Sequence, residues 1–160
     1  MDGLSEKQVR EAFRNCSRRE RQTATLPELS SVAWENLEYL GWRDPKAPQR
    51  GYIVYWAAEG PRGIVLRAPE SRVRRTAQCT LCQAVHQNGV ALFVAPSGGD
   101  AGRSGNTIGT YICDDLACST HLRVALRPSR RLPDPAPVIA ERGAAIVRRL
   151  DAFVGSVLRD

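Results

Sequence analysis

Histidine is scarce in this 160-residue chain, which holds two of them, His86 and His121. A serine or cysteine triad therefore lacks an identifiable base. The sequence also has no H-E-x-x-H, no nucleophile-elbow G-x-S-x-G and no H-x-E ahead of its cysteines of the kind a zinc deaminase needs. No reaction is supported, and the expectation is that the protein is not an enzyme. Lysine is scarcer than arginine, with Lys7 and Lys46 the only two. The Gly-rich "PSGGDAGRSGN" at 96–106 thus lacks the lysine of a phosphate-binding loop, and it leads into a strand rather than a helix. No apolar run approaches the roughly 18 residues that cross a bilayer. "MDGLSEKQVREAF" has no apolar core of a signal peptide. The reading is a cytoplasmic protein with no membrane contact, in a reducing compartment where paired cysteines point to metal before disulfide.

The length suits one domain, or a compact domain with a small helical extension, and is enough to bury a core. The net charge of +6 is unevenly placed. Residues 1–50 hold nine basic side chains against eight acidic, and 51–160 hold 14 against nine. A basic second part favours a polyanionic partner, RNA or an acidic protein face, although a solvated basic surface has the same composition.

The pattern predicts an α+β fold: a short helical N-terminal segment over 1–45, then an α/β domain with a C-terminal helix over 46–160. Ser5 caps a helix carrying Val9, Ala12 and Phe13 at helical spacing. "LPELSSVAWENLEYL" reads as a second helical piece, with Pro27 near its start and Gly41 after its end. "GWRDPKAPQRG" reads as an irregular joint. "YIVYW" and "GIVLRA" form a β-hairpin, and "GVALFVAP" and "TIGTYIC" two more strands of an antiparallel sheet. A helix is expected from about Asp114 to Arg127, with Asp114 and Asp115 as caps at its start. After a Pro-rich link, a last helix places Ile139, Ile146, Leu150, Phe153, Val154 and Val157 on one face, packed back on the sheet. Trp34, Trp42, Trp56, Tyr52 and Tyr55 read as core, which leaves few stacking platforms for single-stranded RNA.

Five cysteines is an odd number, suited to a four-ligand site plus a spare thiol, Cys16. "AQCTLCQAVH" supplies Cys79-x2-Cys82, and "GTYICDDLACSTHL" supplies Cys113-x4-Cys118. A C-x2-C turn aims two sulfurs at one point. Cys113 ends a strand, and Cys118 falls in the first turns of a helix, whose N–H groups and dipole favour a thiolate. Knuckle, hairpin and ligand-bearing helix is the order of a treble-clef zinc finger. A redox C-x-x-C would sit in a βαβ pattern, which is absent here. Four thiolates fill the tetrahedral shell of Zn²⁺ and leave no position for water, so Cys79, Cys82, Cys113 and Cys118 make a structural site. Arg72, Arg74 and Arg75 are placed to balance its −2 charge, and the Gly-rich loop is read as mobile and near the metal. His86 and His121 follow Cys82 and Cys118 closely; either can replace a cysteine ligand, and a supporting role is the better fit.

"CTLCQAVHQNGVALFVAPSGGDAGRSGNTIGTYICDDLACSTHLR" resembles the C-terminal treble-clef zinc finger of the elongation factor G-binding proteins, the family of the fusidic-acid-resistance proteins. "WENLEYLGWRDPKAPQRGYIV" resembles the segment before the finger in short actinobacterial members. The resemblance covers residues 5–126. It implies that the four cysteines bind zinc, and that the finger docks on elongation factor G and helps to release it from the ribosome. The long resistance proteins carry a larger N-terminal helical bundle than residues 1–45 provide. On charge alone, Arg123, Arg127, Arg130 and Arg131 are the candidate partner surface. The leading expectation is a monomeric, zinc-stabilised adaptor for the factor. The alternative is a zinc module that binds ribosomal RNA or DNA directly through its arginines.

Overall fold

A computed structural model describes residues 1–68 and 75–158. The chain folds around one antiparallel sheet with short helices at its N-terminal side and a long helix at its end. Helix α1 (Glu6–Ala12) starts at Ser5 with a reciprocal capping box, Gln8 N–H to Ser5 Oγ and Ser5 N–H to Gln8 Oε1. Helix α2 (Arg18–Thr23) repeats the device with Ser17 and Glu20. Two such caps let helices of one to two turns hold where length alone would not.

Strands β1 (Leu40–Asp44), β2 (Ala47–Ala57) and β3 (Gly60–Arg67) form a meander. Strand β5 (Val85–Pro96) lies beside β3 and carries β4 (Arg75–Gln78) and β6 (Thr107–Cys113) as partners. Helices α3 (Gly99–Arg103), α4 (Cys118–Ala125) and α5 (Ala136–Leu158) complete the chain.

Within the apolar run "YIVYW", Tyr52, Ile53, Val54 and Tyr55 are buried, and the side chains alternate between two cores on the two faces of the sheet. Tyr52 and Val54 join Leu40, Trp42 and Val65 against Leu4, Val9, Ala12 and Phe13 of the N-terminal segment. Ile53 and Tyr55 join Ile64, Leu66 and Phe93 against α4, α5 and the cysteines. Trp42 and Tyr52 stack with ring centroids 5.0 Å apart. Trp34 and Trp56 are half-buried, with their indole N–H groups donated to Leu29 O and Asp2 O. On α5, Ile146, Leu150, Phe153, Val154 and Val157 are buried, as the spacing predicts, and Ile139 is half-buried.

Four local expectations differ from the structure. Residues 26–40 do not form a helix: two single 3₁₀ turns, Leu29–Ser31 and Trp34–Asn36, lead straight into β1. Their apolar residues serve the N-terminal core from an irregular path, because Met1 donates its ammonium to Trp34 O and Leu37 O and ties the segment down. The stretch 41–51 is not a joint but a hairpin, β1 turning at Pro45–Lys46 into β2. Asp44 makes that turn, accepting from Lys46 N–H at 2.9 Å. The helix expected from Asp114 begins only at Cys118 and ends at Ala125. The Gly-rich stretch contains α3 and lies at the Thr107 end of β6, whereas Cys113 closes the other end. At ~3.3 Å per residue the seven-residue strand separates them by about 20 Å, so this loop is not near the cysteines.

Candidate metal centre

The first pair of cysteines sits in the turn between β4 and β5. Gln83 N–H donates to Cys79 O at 2.9 Å and Cys79 N–H to Ala84 O at 3.0 Å, closing a tight knuckle. The second pair spans the end of β6 and the first residue of α4. There Leu116 N–H donates to Cys113 O at 2.8 Å. The two turns share a backbone solution: Gln83 and Leu116 both take φ 58, the left-handed region, which folds the chain back so that sulfurs converge.

They do converge. The four Sγ atoms lie within 4.8 Å of one another, with Cys79–Cys118 and Cys82–Cys113 each at 3.6 Å. A tetrahedron with zinc–sulfur bonds of about 2.3 Å puts its sulfurs about 3.8 Å apart. No disulfide is present, and a 3.6 Å separation is far beyond bonding. Cys79, Cys113 and Cys118 are fully buried, and Cys82 is half-buried. The donor set and its spacing thus fit a closed four-thiolate zinc site.

The thiols perturb one another strongly. Hydrogen bonds from Cys113 and then Cys118 lower Cys79 to about 7 and hold Cys82 lower still. Cys113 is pushed up, by Cys118 first and then Cys79. At Cys118 the Cys113 hydrogen bond lowers the value, but Cys79, Cys82 and burial outweigh it and raise the thiol. Four sulfurs this close cannot all ionise unless a cation joins them.

Groups from distant parts of the chain surround the cluster. His121 brings Nδ1 to 3.3 Å from Cys113 Sγ while Nε2 pairs with Asp115 at 3.0 Å, an orienting carboxylate–imidazole–sulfur chain. Asp115 also accepts from Ala117 N–H, but Asp114 is drawn away to Arg43. Arg43 donates to Asp114 O at 2.7 Å, pairs with the Asp114 carboxylate and stacks over Phe93. From α5, Arg149 donates to Leu81 O at 2.8 Å inside the first knuckle. These guanidinium groups place positive charge beside each knuckle. The arginines expected in that role, Arg72 and Arg74, lie outside the described residues, as do the side chains of Arg75 and His86.

Tyr39 closes the centre from the N-terminal side. Its side chain is buried in the same core as Cys79 and Cys118, and its hydroxyl finds no hydrogen-bond partner among the described residues. Burial raises that phenol well above its ordinary value, and the sulfur of Cys118 adds to the effect. Next to it, Glu38 grips Arg123 through both carboxylate oxygens at 3.0 Å, and Glu38 N–H donates to Ser119 Oγ. Arg123 is therefore engaged within the fold, whereas Arg127, Arg130 and Arg131 are exposed. Cys16 lies away from the cluster, half-buried after α1, which fits a spare thiol. Sequence reasoning missed Tyr39, Arg43 and Arg149. They sit 30 or more residues from any cysteine of the site, and nothing local to them signals a metal.

A knuckle, an antiparallel hairpin and a helix that opens on the last cysteine define the protein as a treble-clef zinc finger joined to a three-stranded meander. The sequence profile of one family, the FBP C-terminal treble-clef zinc-finger, matches residues 8–157, and the chain belongs to that family. No curated protein sequence matches it. Among solved structures it is similar to the fusidic acid resistance protein FusC, with a TM-score of 0.64 and 20% identity. The alignment covers 98% of this chain and 60% of FusC. At that identity the likeness is one of fold, and this chain spans less than two thirds of the FusC length.

Proposed function

We propose that this protein is a non-enzymatic, zinc-stabilised adaptor that binds elongation factor G and changes how long the factor stays on the ribosome. Family membership over residues 8–157, together with a four-sulfur cluster that leaves no open coordination position, carries the reading. The fold likeness to a fusidic acid resistance protein is consistent with it. In this reading zinc supplies cross-linking and charge neutralisation, and Cys79, Cys82, Cys113 and Cys118 hold it. The adaptor acts by preferring one conformation of the factor, so its effect is limited to its differential affinity for the two states. Arg127, Arg130 and Arg131, exposed after α4, belong to the contact surface, whereas Arg123 serves the fold through Glu38.

Calorimetric titration of the zinc-loaded protein into elongation factor G of the same organism tests this. Saturable one-to-one binding that disappears in Cys113→Ser is expected. Absence of binding to the factor, with salt-sensitive binding to ribosomal RNA fragments instead, would replace the adaptor by the nucleic-acid reading, which the exposed arginines favour.

A further inference from the structure

The Tyr39 hydroxyl poses a question that the four cysteines leave open. It is a fully buried polar group with no hydrogen-bond partner among the described residues. Buried hydroxyls nearly always find a partner. It shares its core with Cys118 and Cys79, whose sulfurs act on it electrostatically. A thiol is a weak acceptor, but a metal-bound thiolate is a good one.

The position is also fixed from several sides. Gly41, two residues on, has no room for a side chain: a Cβ there would stand 2.8 Å from the Tyr39 ring and 2.6 Å from Leu116 O. Glu38, one residue back, is held by Arg123 and Ser119 of α4. The ring is thus clamped against the helix that begins with Cys118, with little freedom to turn its hydroxyl elsewhere.

We infer that Tyr39 is a positioning residue of the metal centre: in the loaded protein its hydroxyl donates to the Cys118 thiolate and so raises the affinity for zinc. This rests on the zinc reading above. The donation withdraws electron density from one of four thiolates around a site of formal charge −2, and it makes the segment before β1 part of the metal's environment. The residue stands 40 positions ahead of the first ligand, so the centre draws on both halves of the chain.

The test compares Tyr39→Phe with Tyr55→Phe. Tyr55 is a buried tyrosine of the same core whose hydroxyl donates to Asp151 at 2.5 Å. Zinc dissociation constants come from competition with a chromophoric chelator, and cobalt(II) substitution reports on the sulfur-to-metal charge-transfer band. For Tyr39→Phe we expect zinc binding weakened by about 10-fold and a shifted charge-transfer band, with neither change in Tyr55→Phe. Unchanged affinity and spectrum in Tyr39→Phe overturn the inference. So does equal weakening in both variants, which would mean that only core stability was lost. Failure of the unmodified protein to bind either metal would overturn the zinc reading itself, and this inference with it.

Discussion

At the scale of single residues, two side chains sit in backbone or protonation states that the surroundings impose. Gln83 is exposed yet holds φ 58, where an L-residue costs about 1–2 kcal/mol relative to the right-handed regions. Glycine relieves that cost but widens the unfolded ensemble, so Gln83→Gly should stabilise the loaded protein by about 0.5–1 kcal/mol. Chemical denaturation checks it, and a midpoint lowered at constant m-value would refute it. Leu116 shares the same φ, but its fully buried side chain packs into the core, so glycine there would remove more than it relieves. The second residue is Cys16. Burial first, then Glu20, raises its thiol to about 11. The neutral form is favoured by folding, so this contribution is fully present below the ordinary thiol value near 9 and fades as pH rises through 11. Alkylation of Cys16 in the loaded protein at pH 8 should be about 100-fold slower than in the denatured chain and should climb with pH up to about 11. Labelling at the denatured rate would contradict it. Neither state is visible in sequence, because each depends on what tertiary packing does to one residue.

At the scale of elements, the second knuckle rests directly on the β1–β2 hairpin, and glycine makes that contact possible. A Cβ at Gly41 would meet Leu116 O at 2.6 Å and Leu116 Cβ at 2.9 Å, and one at Gly51 would meet Leu116 Cδ1 at 2.9 Å. A backbone oxygen cannot swing aside as a flexible side chain can. Gly41→Ala should therefore cost about 1–3 kcal/mol or more and lower the melting temperature by several degrees. Gly155→Ala, in α5 with open space around it, should instead raise the melting temperature slightly through helix propensity. Equal behaviour of the two variants would sink the argument. The elements that position the cysteines were legible in sequence because periodicity and spacing are local: β2, β3, β5, β6, α1 and α5 stand where the pattern puts them. The stretch 26–51 was not. Its apolar residues at helical spacing face a core supplied by α1 and the sheet, and β1 owes its strand form to pairing with β2 rather than to its own residues, two of which are Gly41 and Asp44. For the same reason the cysteine set could be read from spacing, while Tyr39, Arg43 and Arg149 could not.

At the scale of the whole molecule, the sheet joins what the sequence reads as two parts. Its β1–β3 meander buries one face against the N-terminal segment and the other against the metal-site core. Asn15 adds a direct tie, donating to Val65 O and Pro96 O and accepting from Val65 N–H. Arg43 spans from β1 to Asp114, and Arg149 from α5 to Leu81. With so many links through one sheet, the two cores are expected to melt together. Removal of a bound metal would oblige the buried sulfurs to take up protons and would free both knuckles, and the expected cost of several kcal/mol reads as a fall in melting temperature of about 10 °C or more. The indole of Trp42 lies in the N-terminal core, on the face of the sheet away from the cysteines, and donates to Thr25 O at 2.9 Å. Its fluorescence should therefore report the chelator-induced transition at the same midpoint as far-UV circular dichroism. An emission midpoint that stays fixed while metal is removed would mean that the N-terminal segment folds without regard to the zinc centre, and the sheet would then be a shared wall rather than a coupling between the two cores.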